Sequence, residues 1–130
     1  MKETKKDKKQ YPKDYLECCE VMYKNPVENY GKCIVKINDG YKGYEIQTLQ
    51  KLIFCRDAYW KLYGEEMGFG ELWKPNLIHG LAYTIQNNRN EIGKSYSAHG
   101  NKVLMFPTEE MRDAFKENFD PDIEICKEFL

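Results

Sequence analysis

Residues 102–119, KVLMFPTEEMRDAFKENF, restrict the possible folds more tightly than any other part of this chain. Lys102 to Phe106 reads as a short apolar strand, and Pro107, which has no N–H to give to a ladder, ends it. Thr108 then offers a capping oxygen, and Glu109 and Glu110 put carboxylates where a helix dipole favours them. Met111, Ala114, Phe115, Asn118 and Phe119 fall on one face of the ensuing helix, with Met111, Phe115 and Phe119 aimed at a sheet. A strand, a proline stop and an amphipathic helix in direct succession call for a helix layer on a sheet layer. The unit reads as architectural, so a functional surface is expected elsewhere.

The remaining elements follow from spacing and turn chemistry. Tyr11-Pro12 opens a helical pattern running to about Tyr23, with Leu16, Cys19 and Met22 or Tyr23 facing a core, and Asn25-Pro26 stops it. Residues 32–38, KCIVKIN, are rich in β-branched side chains and predict a short strand before the Asn38-Asp39-Gly40 turn. A long helix is expected from Gly43 or Tyr44 to Met67. Ile46, Leu49, Ile53, Trp60, Tyr63 and Met67 form its apolar stripe, widened by Leu52, Cys55, Tyr59 and Leu62. Gly64 should loosen its last turn, and Gly68 and Gly70 should end it. After the WKPN turn, three β-like runs at 81–86, 91–97 and 102–106 are separated by turn residues at 87–90 and 98–101 and read as an antiparallel meander. Asp120-Pro121 breaks or restarts the last helix, and residues 122–130 read as a final one. No internal repeat is evident.

The chain of 130 residues fits one domain, 11–130, preceded by the leader MKETKKDKKQ, 1–10. In that leader Lys2, Lys5, Lys6, Lys8 and Lys9 face only Glu3 and Asp7, a local charge of about +3, while the whole chain has a net charge of −1. The leader reads as a solvated disordered segment, or alternatively as an electrostatic arm for nucleic acid. No secretory signal or membrane span is legible, and five cysteines in such a chain are expected as reduced thiols in a host cytoplasm, or in a virion if the protein is a phage structural component.

Metal, nucleophile and carboxylate patterns each have a plainer structural role. Cys18-Cys19 lacks the spacing of a zinc knuckle, and His79 and His99 stand alone near turns, so no metal site and no cofactor are expected. Cys55 lies on the wide apolar helix face, where a thiol is an inert small hydrophobe. Neighbouring carboxylates at Glu65-Glu66 and Glu109-Glu110 diverge by about 100° on a helix and do not converge on one atom. No catalytic residue is assigned; an enzyme would have to draw on Arg56, Asp57, His79 and His99. Arg56 and Asp57, set among Tyr59, Trp60 and Tyr63, could clamp an anion or stack on a ring, the plainer alternative being that Arg56 covers the core edge. Tyr41, Tyr44, Trp73, Tyr83 and Tyr96 are candidates for an exposed recognition face.

Taken together, LQKLIFCRDAYWKLYGEEMG, the WKPN turn, a β region and NKVLMFPTEEMRDAFKENF resemble a group of small uncharacterised proteins from gut Bacteroidales and from their phages and mobile elements. The likeness spans residues 11–130 and is specific in its two longest segments. It departs at Asp120-Pro121, where the group continues its last helix, and at Leu77 and Ile78, where many of its members have a second tryptophan. The resemblance implies a phage or mobile-element setting and supplies no catalytic residue.

The expected fold is therefore α+β, with two N-terminal helices, one of them long, packed on a three-stranded antiparallel meander and followed by C-terminal helices. The expected function is a non-enzymatic interaction protein, a virion component or an accessory protein binding a host factor or small host metabolite. It would act through a protein partner or through self-association and without a membrane. A nucleic-acid-associated protein using the lysine leader, and a small enzyme, are the alternatives.

Overall fold

The structure is a computed structural model that describes residues 10–32, 42–75, 82–97 and 102–130. The strand expected at 32–38, apart from Lys32, lies outside the described residues, as do Tyr41, the two histidines and the lysines of the leader.

Helix α1 spans Tyr15–Met22, four residues later than Tyr11-Pro12 suggests. Asp14 is its N-cap and accepts from the Glu17 N–H at 2.9 Å, while the Glu17 carboxylate takes the Lys13 N–H at 2.8 Å. Pro12 sits outside the helix because its carbonyl is needed by the core, where it accepts from the Tyr59 hydroxyl at 2.8 Å. The later start also turns the helix: Tyr15, Cys18 and Cys19 are buried, and Leu16, expected in the core, is 44% exposed. Pro26 opens a single turn, α2, at Pro26–Asn29.

Helix α3 runs Gly43–Met67, as the flanking glycines indicate. Leu52, Cys55 and Tyr59 are fully buried with Ala58, and Phe54 and Trp60 nearly so, which shifts the buried face away from Met67. The helix closes in a Schellman arrangement, with the Gly68 N–H on the Glu65 carbonyl at 3.2 Å and the Phe69 N–H on the Gly64 carbonyl at 2.8 Å. Gly64 does not loosen this turn. A Cβ there would run into the carbonyl oxygen of Glu71, so the glycine lets the returning chain lie against the helix, secured by the Trp73 N–H on the Trp60 carbonyl at 3.2 Å.

Strands β1 (Ala82–Asn88) and β2 (Glu91–Ser97) form a hairpin closed by Arg89 and Asn90, both with positive φ, as a two-residue turn matched to strand twist requires. Strand β3 (Leu104–Phe106) is antiparallel but pairs with β1, giving the order β2-β1-β3. The sequential order of a meander is thereby corrected: β1, not β2, is central. Helix α3 helps to hold β3 there, since the Trp60 indole N–H donates to the Met105 carbonyl at 2.7 Å.

The strand-proline-helix unit forms as its residues indicate. Thr108 caps α4 (Glu109–Asn118) by accepting from the Met111 N–H at 3.1 Å, and Met111, Phe115 and the C-cap Phe119 are buried. Phe115 packs against Phe106, Phe119 and Tyr59, with ring centroids 4.9, 4.6 and 5.1 Å away. Pro121 restarts the chain as α5 (Asp120–Ile125), whose Ile123 is buried, and a 3-10 turn follows at Lys127–Phe129. The architecture is α+β, and among the described residues no helix is long and apolar enough to cross a membrane.

Candidate functional site

Charged side chains gather at two arginine forks, each beside an aromatic ring, and in a cleft where α3 ends. The first fork is the Arg56-Asp57 pair. The Arg56 Nε and one terminal nitrogen donate to Asp57 Oδ1 at 3.1 and 2.8 Å, and the other terminal nitrogen donates to the Val103 carbonyl at 2.7 Å. The guanidinium lies 3.9 Å from the centroid of a Trp60 ring, so one planar group is held at its edge by hydrogen bonds and on its face by an aromatic. The residues singled out from the sequence are thus joined to the strand segment entering β3.

A second fork, without such a sequence cluster of aromatics, lies on α4. Arg112 on α4 is buried, at 6% exposure; its Nε donates to Asp113 Oδ1 at 3.0 Å, one terminal nitrogen to the Ser95 carbonyl at 2.9 Å and the other to Glu109 Oε2 at 3.2 Å. Its guanidinium stands 5.5 Å from the Tyr83 ring centroid. Asp113 also meets Lys94 at 3.3 Å. Partial burial raises the Asp113 carboxyl, but the hydrogen bonds from Arg112 and Lys94 outweigh it and hold the group below the usual carboxylate range. The signal was present in the sequence: Arg56-Asp57-Ala58-Tyr59 and Arg112-Asp113-Ala114-Phe115 share the pattern R-D-A-aromatic.

The remaining candidates do not form one face. Tyr44, 67% exposed, stands at the start of α3, and Trp73 packs edge-on against Trp60 and Tyr63 near its end. The sixteen residues from Tyr44 to Trp60 place these ends about 24 Å apart at 1.5 Å per residue. Tyr83 and Tyr96 are a cross-strand pair, Tyr83 half-buried beneath Arg112 and Tyr96 64% exposed. Cys18, Cys19, Cys55 and Cys126 are buried thiols. The adjacent Cys18 thiol and burial push the Cys55 thiol upward, and burial with the Asp122 charge pushes Cys126 up to about 12, away from the thiolate a nucleophile needs. Among the described residues no group of three or more His, Cys, Asp or Glu side chains is placed to hold a metal ion.

The cleft where α3 ends has a volume of about 720 Å3 and is lined by Lys61, Glu65, Glu71 and Leu72 together with Gly68 and Gly70. Lys61 and Glu65 are an ion pair across one turn at 2.6 Å. A second groove of about 430 Å3 runs between the segment at Tyr11 and α1, with Glu17, Glu20, Val21 and Leu62 in its walls. Burial, then the charges of Glu110 and Glu66, push the Tyr11 phenol up to about 12.

No family model matches the chain, and no curated protein and no solved structure matches it either.

Proposed function

We infer that the chain is a non-enzymatic interaction protein, working by docking a partner rather than by transforming a substrate. The observation that supports this is the division of labour among its distinctive side chains. Arg56 and Arg112, the groups best suited to clamp an anion, direct their hydrogen bonds to Val103, Ser95 and nearby carboxylates of the same chain. Large apolar and aromatic groups meanwhile face solvent at Tyr44, Met67, Phe69 and Tyr96. Aromatic and methionine side chains are enriched at protein interfaces, and tyrosine is among the residues that carry most of their binding energy. The resemblance to proteins of Bacteroidales, their phages and mobile elements favours a virion component, or an accessory protein that binds a host factor or small host metabolite, as its role.

Light scattering on the purified full chain, alone and after co-expression with its genomic neighbours, tests the reading. A defined self-associated species or a stable complex is the expected result. A strict monomer that retains no partner counts against it. The charge of the lysine leader favours a second reading, a nucleic-acid accessory role. That reading requires a salt-sensitive mobility shift on bulk DNA or RNA that disappears when residues 1–10 are removed.

A further inference from the structure

We propose that the cleft at the C-terminal end of α3 is the docking surface for a partner protein segment carrying a lysine or arginine beside an aliphatic side chain. The proposal rests on the interaction reading and gives it a place and a chemistry. Two local rules are broken together at this end of the helix. The first is electrostatic. A helix C-terminus carries roughly half a negative charge, which favours basic residues there. The last turn of α3 has none, and Glu65 and Glu66 occupy it instead. Lys61 offsets Glu65, but with the lysine N-terminal to the glutamate, the weaker of the two orders.

Gly64 then adds to the imbalance. By letting residues 71–73 lie against the last turn, it brings Glu71 to the same cleft as Glu65. The lining therefore holds two carboxylates and one ammonium, at the negative end of a twenty-five-residue helix.

The second rule is apolar burial. Met67 and Phe69, on either side of Gly68, are 52% and 50% exposed, and Leu72 lines the cleft itself. Scattered exposed apolar residues need no explanation, but Met67 and Phe69 flank Gly68, a residue of the cleft wall, and add apolar surface next to the cleft to the Leu72 inside it. Residues that oppose their own local structure are expected where a sequence serves function. One occupant relieves both conflicts: a cationic head set between Glu65 and Glu71, with its aliphatic neighbour against Leu72 and Phe69. An anionic segment or a nucleic-acid backbone would be repelled from the same place.

The test uses the full chain and two labelled synthetic peptides, one of alternating lysine and leucine and a twin with glutamate for lysine, read by fluorescence anisotropy. The basic peptide should bind, more weakly as salt rises, and the acidic twin should not. Glu71→Lys should weaken binding about tenfold or more, and Phe69→Ser should weaken it as well, as interface residues do. Glu20→Lys, the same charge change in the groove beside Tyr11, should leave binding as it is. No binding of the basic peptide, or equal losses from Glu71→Lys and Glu20→Lys, overturns the proposal. So does a self-associated species that Glu71→Lys dissociates, since a second copy would then be the occupant. A partner complex that Glu71→Lys leaves intact removes the cleft while the interaction reading stands. A partnerless monomer that still binds the basic peptide through Glu71 does the reverse.

Discussion

Arg56 and Arg112 occupy the same position of the same R-D-A-aromatic pattern, on two helices that approach the sheet from different parts of the chain. Each uses Nε to hold the carboxylate of the next residue and a terminal nitrogen to reach a carbonyl in or beside a strand. The surroundings differ. Arg56 lies over Trp60, which itself donates to the Met105 carbonyl, so arginine and tryptophan together fasten α3 to the β3 segment. Arg112 is the more buried of the two, yet its ring partner Tyr83 is farther away and its carboxylate partners Glu109 and Asp113 are 68% and 43% exposed. Burial alone is thus a poor guide to what a charged side chain holds together. The number of fixed groups around it, and whether water competes for them, is the better one.

That contrast can be broken by measurement. Arg56→Ala removes a short charged hydrogen bond and a stacked cation, and should lower unfolding stability by about 3 kcal/mol in urea titration. Arg112→Ala should cost less, about 1.5–2 kcal/mol, because its carboxylate partners return to water. An equal or larger loss at Arg112 would show that burial outweighs stacking on Trp60. The two forks sit on separate helices and share no hydrogen-bond partner, so the double variant should match the sum of the singles within about 0.5 kcal/mol. A larger deviation would mean that the sheet couples them.

The smallest effect is a pH dependence. The folded Asp113 carboxyl titrates below its unfolded value, so its contribution is present above about pH 4 and is lost as the pH falls through the folded value. Asp113→Asn should therefore be less stable than the parent at neutral pH and converge with it in acid. Parallel stability curves down to acid pH would sink this assignment.

What was legible in the sequence, and what was not, divides along a physical line. Helix α3 was readable to the residue at Met67 because Gly68 takes the left-handed conformation that ends it, and α4 because Thr108 and its two following glutamates are local signals. The start of α1 was not. Pro12 is an acceptable first-turn residue, but its carbonyl is claimed by Tyr59, forty-seven positions away, and Asn118 donates to that same hydroxyl at 3.2 Å. Sheet order escaped for the same reason: whether β3 adds to β1 or to β2 depends on where α3 presents Trp60 and Arg56. Arg56 stands out in the sequence because aromatics surround it there. Arg112 does not, because Tyr83, the ring it faces, is distant in sequence. The cleft beyond α3 gave one sign, the pair of glutamates in a last turn, which reads as ordinary surface charge until Glu71 is seen to fold back beside it.

The central position of β1 also bears on how the chain comes together as it is synthesised. The β1–β2 hairpin needs only the Arg89-Asn90 turn and can form as soon as it has emerged. The other edge of β1 waits for Leu104–Phe106, and until those residues arrive the indole N–H of Trp60 and the guanidinium of Arg56 lack the carbonyls they will bind. A nascent chain halted just before Val103 thus presents an open strand edge next to two N–H donors whose carbonyl partners are still to be made. Such an intermediate is what chaperones and proteases recognise.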